Sequence, residues 1–347
     1  HACVSIASMD FADSKTLVTG GAGFIASHLV DRLLEEDCDV VVADDFSRGN
    51  LEHIEHVIDE VELVPADLTT REGCLRATEG VDYVFHLAAR VGGIHYIQRE
   101  NVGGLTPSVL MNQHMLEASR INDVDRFLFA SSACIYRQQH DGLNRFTEDQ
   151  AIPADPHSTY GWAKVLGEVA CRAYHQDCDL DCAMVRIFNA YGPRENLDLE
   201  SAHVIPSFIR KAIEYPEREF EMFGDGSQER GFIYVTDLVE GMIRALERKA
   251  DGEPINLGNG EEVVSIKELA ELVTEISGKE IEIQHDMDAP EGTYKYAADT
   301  TKMESALDWT PEVSLTEGLA ETYAWAAEEL GADEELSVAK ADGGDDR

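Results

Sequence analysis

Basic residues are scarce in this chain. Its 347 positions hold 28 Lys and Arg against 68 Asp and Glu, a formal net charge of −40. A surface of that sign repels nucleic-acid phosphates and anionic membranes, so neither partner is expected. It also opposes the compact state by self-repulsion unless salt screens it. Because acid is spread along the whole chain and not gathered in a tail, a salt-rich cytoplasm of the halophilic kind is the expected setting. Metal-type cysteine pairs are missing too. The seven cysteines, Cys3, Cys38, Cys74, Cys134, Cys171, Cys178 and Cys182, are odd in number and form no CxxC. That argues against a disulfide framework and against a zinc site, and no metal is expected. Cys178 and Cys182 read as small core residues. No apolar run approaches a membrane span. Residues 1–12 lack a basic start and a long apolar stretch, so they do not read as a signal peptide, and a cytoplasmic location is expected.

What is present is a β-α-β alternation. Short apolar runs at 16–19, 39–43, 61–64, 82–86 and 126–130 read as strands, with a helix over 28–36 between the first two. Near-continuous apolar strands separated by amphipathic helices predict an α/β fold: a Rossmann-type doubly wound parallel sheet covered on both faces. Ligands in such folds sit beyond the carboxyl ends of the strands. After about residue 185 the pattern changes. Helices are expected over 204–214 and 264–276, the latter capped by Ser265 with Glu268 in the box position. A Gly-Asp-Gly turn at 224–226 and a short strand at 281–283 complete a smaller mixed α/β substrate lobe. The expected organisation is an N-terminal extension (1–14), a Rossmann domain (15–185), an interleaved substrate-binding lobe (186–330) and an acidic disordered tail (331–347).

The first strand runs into Gly20-Gly21-Ala22-Gly23-Phe24-Ile25-Ala26. Spaced glycines there permit a tight turn and close backbone approach to a pyrophosphate, and the following helix offers its unpaired amides. Strand two ends in Asp44-Asp45, where a carboxylate can accept hydrogen bonds from both ribose hydroxyls and would repel a 2′-phosphate, so NAD is favoured over NADP. Asp67 and Leu68 after strand three are expected near the adenine. Ala88, in His86-Leu87-Ala88-Ala89 after strand four, is expected beside the dinucleotide. His86 itself reads as structural.

Strand five ends in Ser131-Ser132-Ala133-Cys134-Ile135-Tyr136, and further on stands Tyr160-Gly161-Trp162-Ala163-Lys164. A spacing of four places Tyr160 and Lys164 on one helix face. A lysine ammonium there is expected to lower the tyrosine pKa, so that phenolate takes a hydroxyl proton while hydride leaves the same carbon. Ser132 would hydrogen-bond that hydroxyl. Tyr160 and Lys164 would also touch the nicotinamide end of the cofactor.

With these residues in hand, the sequence resembles the extended short-chain dehydrogenase/reductase superfamily over about residues 15–325. Within it the likeness is to the GDP-mannose 3,5-epimerase family, carried by Thr19 to His28, Thr78 to Asp82, Val91-Gly92-Gly93-Ile94, Ser131 to Tyr136 and Pro290-Glu291-Gly292. A second likeness, to the GDP-fucose synthase family, shows in Val91 to His95 and Ser201-Ala202-His203-Val204-Ile205-Pro206. The resemblance implies Cys134 and His203 as an acid/base pair that inverts carbons next to a ketone. A thiol and an imidazole have pKa values close enough to neutral for this work. It further implies a nucleotide-sugar site. Asn189 and Arg194 belong to the substrate loop Asn189-Ala190-Tyr191-Gly192-Pro193-Arg194. Val204 to Lys211 would line the nucleotide, Arg230 would pair with the diphosphate, and Gly92, Gly93 and Gln98 would touch the sugar. Where relatives carry a second arginine, this chain has Lys295 and Tyr296, and Lys295 is the candidate for that phosphate contact. Dimerisation through helices containing 104–120 and 158–174 is the family habit.

The expected activity is therefore epimerisation through a transient 4-keto sugar, at carbons 3 and 5 of GDP-mannose or a related substrate. The alternatives are a UDP-sugar 4-epimerase and a non-catalytic NAD-sensing protein. The Ala133-Cys134 pair argues against a 4,6-dehydratase, which wants Asp-Glu there, and Asp44 argues against an NADPH-dependent reductase.

Overall fold

The computed structural model describes residues 11–12, 14–90, 101–137, 144–156, 158–289 and 295–332. The first half runs β1 (Lys15–Thr19), α1 (Phe24–Leu34), β2 (Asp39–Asp44), β3 (Glu62–Pro65), α2 (Arg71–Ala77), β4 (Tyr83–His86), α3 (Asn101–Ile121) and β5 (Arg126–Ser132). It continues with β6 (Asn144–Phe146), α4 (Thr159–Cys178), β7 (Asp181–Ile187), β8 (Ala190–Tyr191), α5 (Val204–Ile213), β9 (Phe220–Phe223), β10 (Glu229–Gly231) and β11 (Ile233–Tyr234). The remainder is α6 (Val235–Arg248), β12 (Pro254–Leu257), β13 (Val263–Ser265), α7 (Ile266–Ser277), β14 (Ile283–Asp286), β15 (Lys295–Ala298), α8 (Thr301–Leu307) and α9 (Leu315–Glu329).

Seven parallel strands form the main sheet in the order β12-β7-β5-β4-β1-β2-β3. The order reverses between β1 and β4, and a crevice opens beyond the carboxyl ends of strands at such a switch point. Both faces are buried, which is why the strands are apolar almost throughout. One face packs Val18, Leu29, Val40, Phe85, Val185 and Leu238; the other packs Leu17, Val41, Met115, Phe127, Cys171 and Met184. A separate core under the second lobe gathers Ile205, Phe208, Phe220, Met222, Leu269, Val273 and Leu319. Burial at this scale, at about 25 cal/mol per Å² of apolar surface, is the main force holding both units.

The doubly wound α/β architecture is as expected. The first helix begins at Phe24, four residues before the expected start, because the glycine turn leads straight into it. Two sheet strands were not anticipated. β7 runs across position 185, and β12 returns to its edge, with α6 packed on the same sheet, so the chain leaves and re-enters the large unit. The Ser265–Glu268 capping box forms with both reciprocal hydrogen bonds. Near the expected strand at 281–283 the ladder instead covers Ile283–Asp286, paired to β9. Cys182 is buried as expected, but Cys178 is exposed at the last position of α4, where the helix turns outward before Asp179, so the core assignment of Cys178 was wrong. Of the N-terminal extension, Phe11 is buried against the Tyr83 and Phe85 rings. Residues 333–347 of the expected tail lie outside the described residues, as do Gly92, Gly93, Gln98 and the segment Pro290-Glu291-Gly292.

Candidate active site

The dinucleotide cradle is made by backbone. Gly20 has φ +69° and its amide bonds the Ala43 carbonyl at 2.7 Å, so the turn after β1 is left-handed where a side chain would be strained. A Cβ on Gly21 would lie 2.6 Å from Val42 Cγ1, so only glycine lets this loop pack on β2. Helix α1 then starts at Phe24, after Gly23, with no side-chain cap and no acid in its first turn. Its first amides and positive dipole end are left for an anion. Phe24 and Ile25 occupy that first turn, half-buried. Asp44 is buried at the end of β2, its Oδ2 accepting from the Ala22 amide at 3.1 Å and its Oδ1 from the Phe46 amide at 2.8 Å. Burial pushes this carboxyl above the usual range while the amide hydrogen bonds pull it back. Thr19 Oγ1 accepts from the Leu87 and Ala88 amides at 3.1 Å, which brings the loop after β4 alongside Gly20. His86 hydrogen-bonds Thr19 and Asn112 at 2.8 and 3.1 Å, and burial lowers its pKa to about 3, so it is a neutral brace between β1, β4 and α3. Leu68 is buried beyond β3, and Asp67 is exposed, its carboxylate turned onto Thr69.

Ser132, Cys134, Tyr160 and Lys164 converge at the end of β5. Ser132 Oγ accepts from the Cys134 amide at 3.2 Å, and Cys134 and Tyr160 lie within each other's electrostatic reach. Helix α4 is capped by Ser158, whose side chain accepts from Gly161 N. A Cβ on Gly161 would meet the Cys134 carbonyl oxygen at 2.5 Å, so that glycine is what lets the helix carry Tyr160 against Cys134. Lys164 is buried one turn on. Its Nζ donates to the Ala130 carbonyl at 2.6 Å and lies 5.6 Å from the Tyr160 ring centre.

The electrostatics depart from expectation at Tyr160. Its pKa is raised, not lowered, because burial dominates, the nearby Cys134 adds to it, and only the Ser132 hydrogen bond opposes it. Lys164 points at a backbone carbonyl and not at the phenol, so its field does not offset burial. Burial also depresses the Lys164 ammonium to about 8. The Cys134 thiol is raised by burial, with Ser132 and the Lys164 charge pulling it down. At rest the site holds a neutral phenol and a neutral thiol.

Next to Cys134 stands a second cluster. Tyr296 on β15 donates its hydroxyl to Asn189 Oδ1 at 2.7 Å, its ring faces the Arg230 guanidinium at 4.6 Å, and Cys134 lies within its electrostatic reach. Asn189 sits at φ +38°, a conformation Asn tolerates better than most residues, and its Nδ2 donates to the Gly231 carbonyl at 2.8 Å. Arg230, buried on β10, has its pKa lowered by burial. Arg194 pairs with Asp31 of α1 at 2.7 Å, and the neighbouring Pro193 carbonyl contacts His28 Nε2 at 3.0 Å, so the substrate loop is latched to the cofactor helix. Lys211 is buried with its Nζ on the Glu221 carbonyl at 2.7 Å, and Val204 begins α5 half-buried. His203 precedes that helix and holds Glu195 at 2.7 Å. Lys295 lies on β15; its side chain is outside the described residues. Sequence reasoning missed Tyr296 as a site residue and Glu195 altogether. Tyr296 was visible as the tyrosine standing where relatives have arginine; Glu195 was signalled by nothing stronger than a carboxylate eight positions before a candidate histidine.

Residues 16–258 match the model of the NAD dependent epimerase/dehydratase family. The chain belongs to that family. Its cofactor is NAD, and the glycine turn, the uncapped α1 and Asp44 fit that group. Family member GDP-mannose 3,5-epimerase of Arabidopsis thaliana is 38% identical over 319 residues, 91% of this chain and 83% of that protein. Among solved structures, UDP-glucose 4-epimerase of Thermotoga maritima with UDP-glucose superposes with a TM-score of 0.82 at 30% identity, covering 91% of this chain and 99% of the other. The Thermus thermophilus UDP-glucose 4-epimerase complex with NAD gives 0.78 at 28% identity, over 90% and 98%. Among the described residues no helix of this epimerase/dehydratase family member is long and apolar enough to cross a membrane.

Proposed function

We propose that the protein is an NAD-dependent nucleotide-sugar epimerase working through a transient 4-keto sugar, and that its reaction is 3,5-epimerisation of GDP-mannose or a related nucleoside-diphosphate hexose. The observation that carries this reading is Cys134, whose backbone amide is held by Ser132 Oγ and whose thiol lies within electrostatic reach of Tyr160 and Lys164. A 4-epimerase needs no proton-transfer group there beyond the tyrosine. The 38% identity to a GDP-mannose 3,5-epimerase supports the same choice.

NAD, when bound, supplies the reversible hydride acceptor. Tyr160, neutral at rest, must first give up its phenol proton to solvent; as phenolate it takes the proton of the sugar 4-hydroxyl and returns it at the end, and Ser132 would hydrogen-bond that oxygen in both its hydroxyl and ketone forms. Lys164, 5.6 Å from the Tyr160 ring centre, would supply positive charge to the phenolate before it takes that proton. The ketone acidifies the hydrogens on carbons 3 and 5, and Cys134 and His203 exchange protons there from opposite faces. Arg230 and Asn189 would receive the diphosphate, the arginine by paired charge-assisted hydrogen bonds, with Val204 to Lys211 beside the nucleotide and Lys295 as a second phosphate contact. Gly92, Gly93 and Gln98 remain candidates for the sugar, and Arg194 acts through the loop it latches.

Incubation with GDP-mannose in heavy water and high salt, read by proton NMR, tests this directly: deuterium at carbons 3 and 5 of a new isomer is expected, and its absence with GDP-mannose and related nucleotide sugars would sink the reading. A second reading, 4-epimerisation of a UDP-sugar, is favoured by the superposition on the Thermotoga maritima enzyme. Cys134→Ala separates the two, since a 4-epimerase would keep its activity. The protein is further proposed to pair with itself. Trp162, Leu166 and Val169 form an exposed apolar stripe on α4, and exposed Leu110 lies on α3, which packs against it. The proposed setting is a salt-rich cytoplasm, and full activity below about 0.1 M salt, where screening is weak, would argue against it.

A further inference from the structure

We infer that Glu195 is the positioning residue for His203: it fixes which ring nitrogen carries the proton and holds the imidazole at the substrate face. This deepens the reading above and rests on His203 being an acid/base group.

The two partners live in opposite surroundings. The His203 side chain is 64% exposed, whereas that of Glu195 is 4% exposed. Glu195 Oε1 meets His203 Nδ1 at 2.7 Å, and Oε2 is buried without a hydrogen-bond partner among the described residues. A carboxylate is costly to bury with half of its acceptors unmet, and such a group persists where something else requires it. A tie between loop and helix does not require a charge, because neutral side chains make the same link without that cost.

The ring also sits where a cation is disfavoured. His203 is the residue before α5, makes no side-chain cap, and faces the positive end of the helix dipole. Left alone there, the imidazole would resist protonation. Glu195 reverses this: its hydrogen bond raises the His203 pKa, burial among surrounding protein atoms opposes that, and the carboxylate's charge adds to the rise. Other charges nearby are engaged elsewhere: Arg194 with Asp31, Arg210 with Glu214 and the Leu197 carbonyl, Asp198 with Ser201.

The geometry dictates the tautomer. Burial pushes the Glu195 carboxyl up and His203 pulls it back; as a carboxylate it only accepts, so Nδ1 carries the hydrogen and Nε2 is left as the lone pair that takes a proton, or as the N–H that gives one. The intervening loop is braced to hold this aim. The Ser201 and Ala202 amides bond the Asp198 carbonyl at 3.0 and 2.6 Å, and Asn196 Nδ2 bonds Ser201 Oγ at 2.8 Å.

Two measurements test the inference. In the free protein, nitrogen NMR of 15N-labelled histidine is expected to show neutral His203 with its proton on Nδ1, and Glu195→Ala to abolish that preference. A wild-type ring without the preference, or one that keeps it in Glu195→Ala, overturns the inference whatever the enzyme's substrate. In heavy water with GDP-mannose, Glu195→Gln is expected to slow deuterium uptake at carbon about 10- to 100-fold, the range of one lost catalytic support, while the absorbance of reduced nicotinamide formed on mixing is unchanged. Glu195→Asp should recover part of the loss, and Glu195→Gln should cost nothing further in a His203→Gln background. Equal losses in hydride transfer and proton exchange would mark Glu195 as merely structural and overturn its positioning role. Absent exchange in the wild type would overturn the 3,5-epimerase reading instead, leaving the NMR result to decide on the tautomer.

Discussion

The two sides of the cleft are built from different materials. On the cofactor side the ligand would meet backbone: a left-handed Gly20, a Gly21 with no room for a Cβ, and the uncapped amides of α1, with the buried Asp44 carboxyl at the end of β2. On the substrate side it would meet side chains brought from distant positions, Arg230, Tyr296, Asn189 and His203, each held by another side chain or by a carbonyl. A backbone cradle tolerates little change because its geometry is fixed by what will not fit. A side-chain face can be retuned one residue at a time. That contrast explains how relatives of similar fold include both GDP-mannose and UDP-glucose epimerases.

The comparison can be sharpened where the sides meet. Tyr160→Phe should reduce turnover about 10²- to 10⁴-fold, the usual range for a lost general base, while bound NAD survives purification; steady-state rates and the absorbance of extracted cofactor check it. On the cofactor side Gly21→Ala should cost about 1–3 kcal/mol by overpacking against Val42. It should weaken NAD binding in parallel, read from thermal midpoints with and without NAD. On the substrate side Arg230→Lys should raise KM about tenfold with kcat nearly unchanged, since it removes a bidentate contact made equally in ground and transition states. An equal loss in kcat would move Arg230 into the chemistry.

Two titrations probe the same divide. Lys164 is depressed to about 8, so it is charged below that pH and neutral above it. Turnover should fall as pH rises through about 8, which a kcat profile from pH 6 to 10 would detect. His86 has a folded pKa of about 3, below the ordinary histidine value. The unfolded chain then binds the proton first, so stability should fall as pH drops from the ordinary value toward 3 and level off below it. His86→Gln should flatten that slope in denaturation curves taken at several pH values.

Much of the cofactor side was legible in the sequence for the reason it is rigid. Buried parallel strands read as continuous apolar runs, and the glycines stand within one turn of β1, so local pattern and long-range structure agree. β7 and β12 were harder to read because β7 opens with Asp181 and carries Arg186, a charged residue buried on Glu168, just before its end, and β12 opens with Pro254. On the substrate side the spacing was uninformative. The Tyr296–Asn189 contact spans 107 positions, and nothing local marks either residue for the other. The expected fall in the Tyr160 pKa failed on a finer point: helix spacing places Lys164 on the right face, but the ammonium hydrogen-bonds the Ala130 carbonyl instead.

The latch between Arg194 and Asp31, with His28 on the Pro193 carbonyl, has a thermodynamic corollary. The loop that carries Asn189 hangs on the same helix whose uncapped amides would receive the pyrophosphate. A shift of that helix on filling one side would be transmitted to the other, and linkage would make the influence mutual: any factor by which nucleotide sugar changes NAD affinity equals the factor by which NAD changes nucleotide-sugar affinity. Cutting the ion pair with Asp31→Asn should bring that shared factor closer to one.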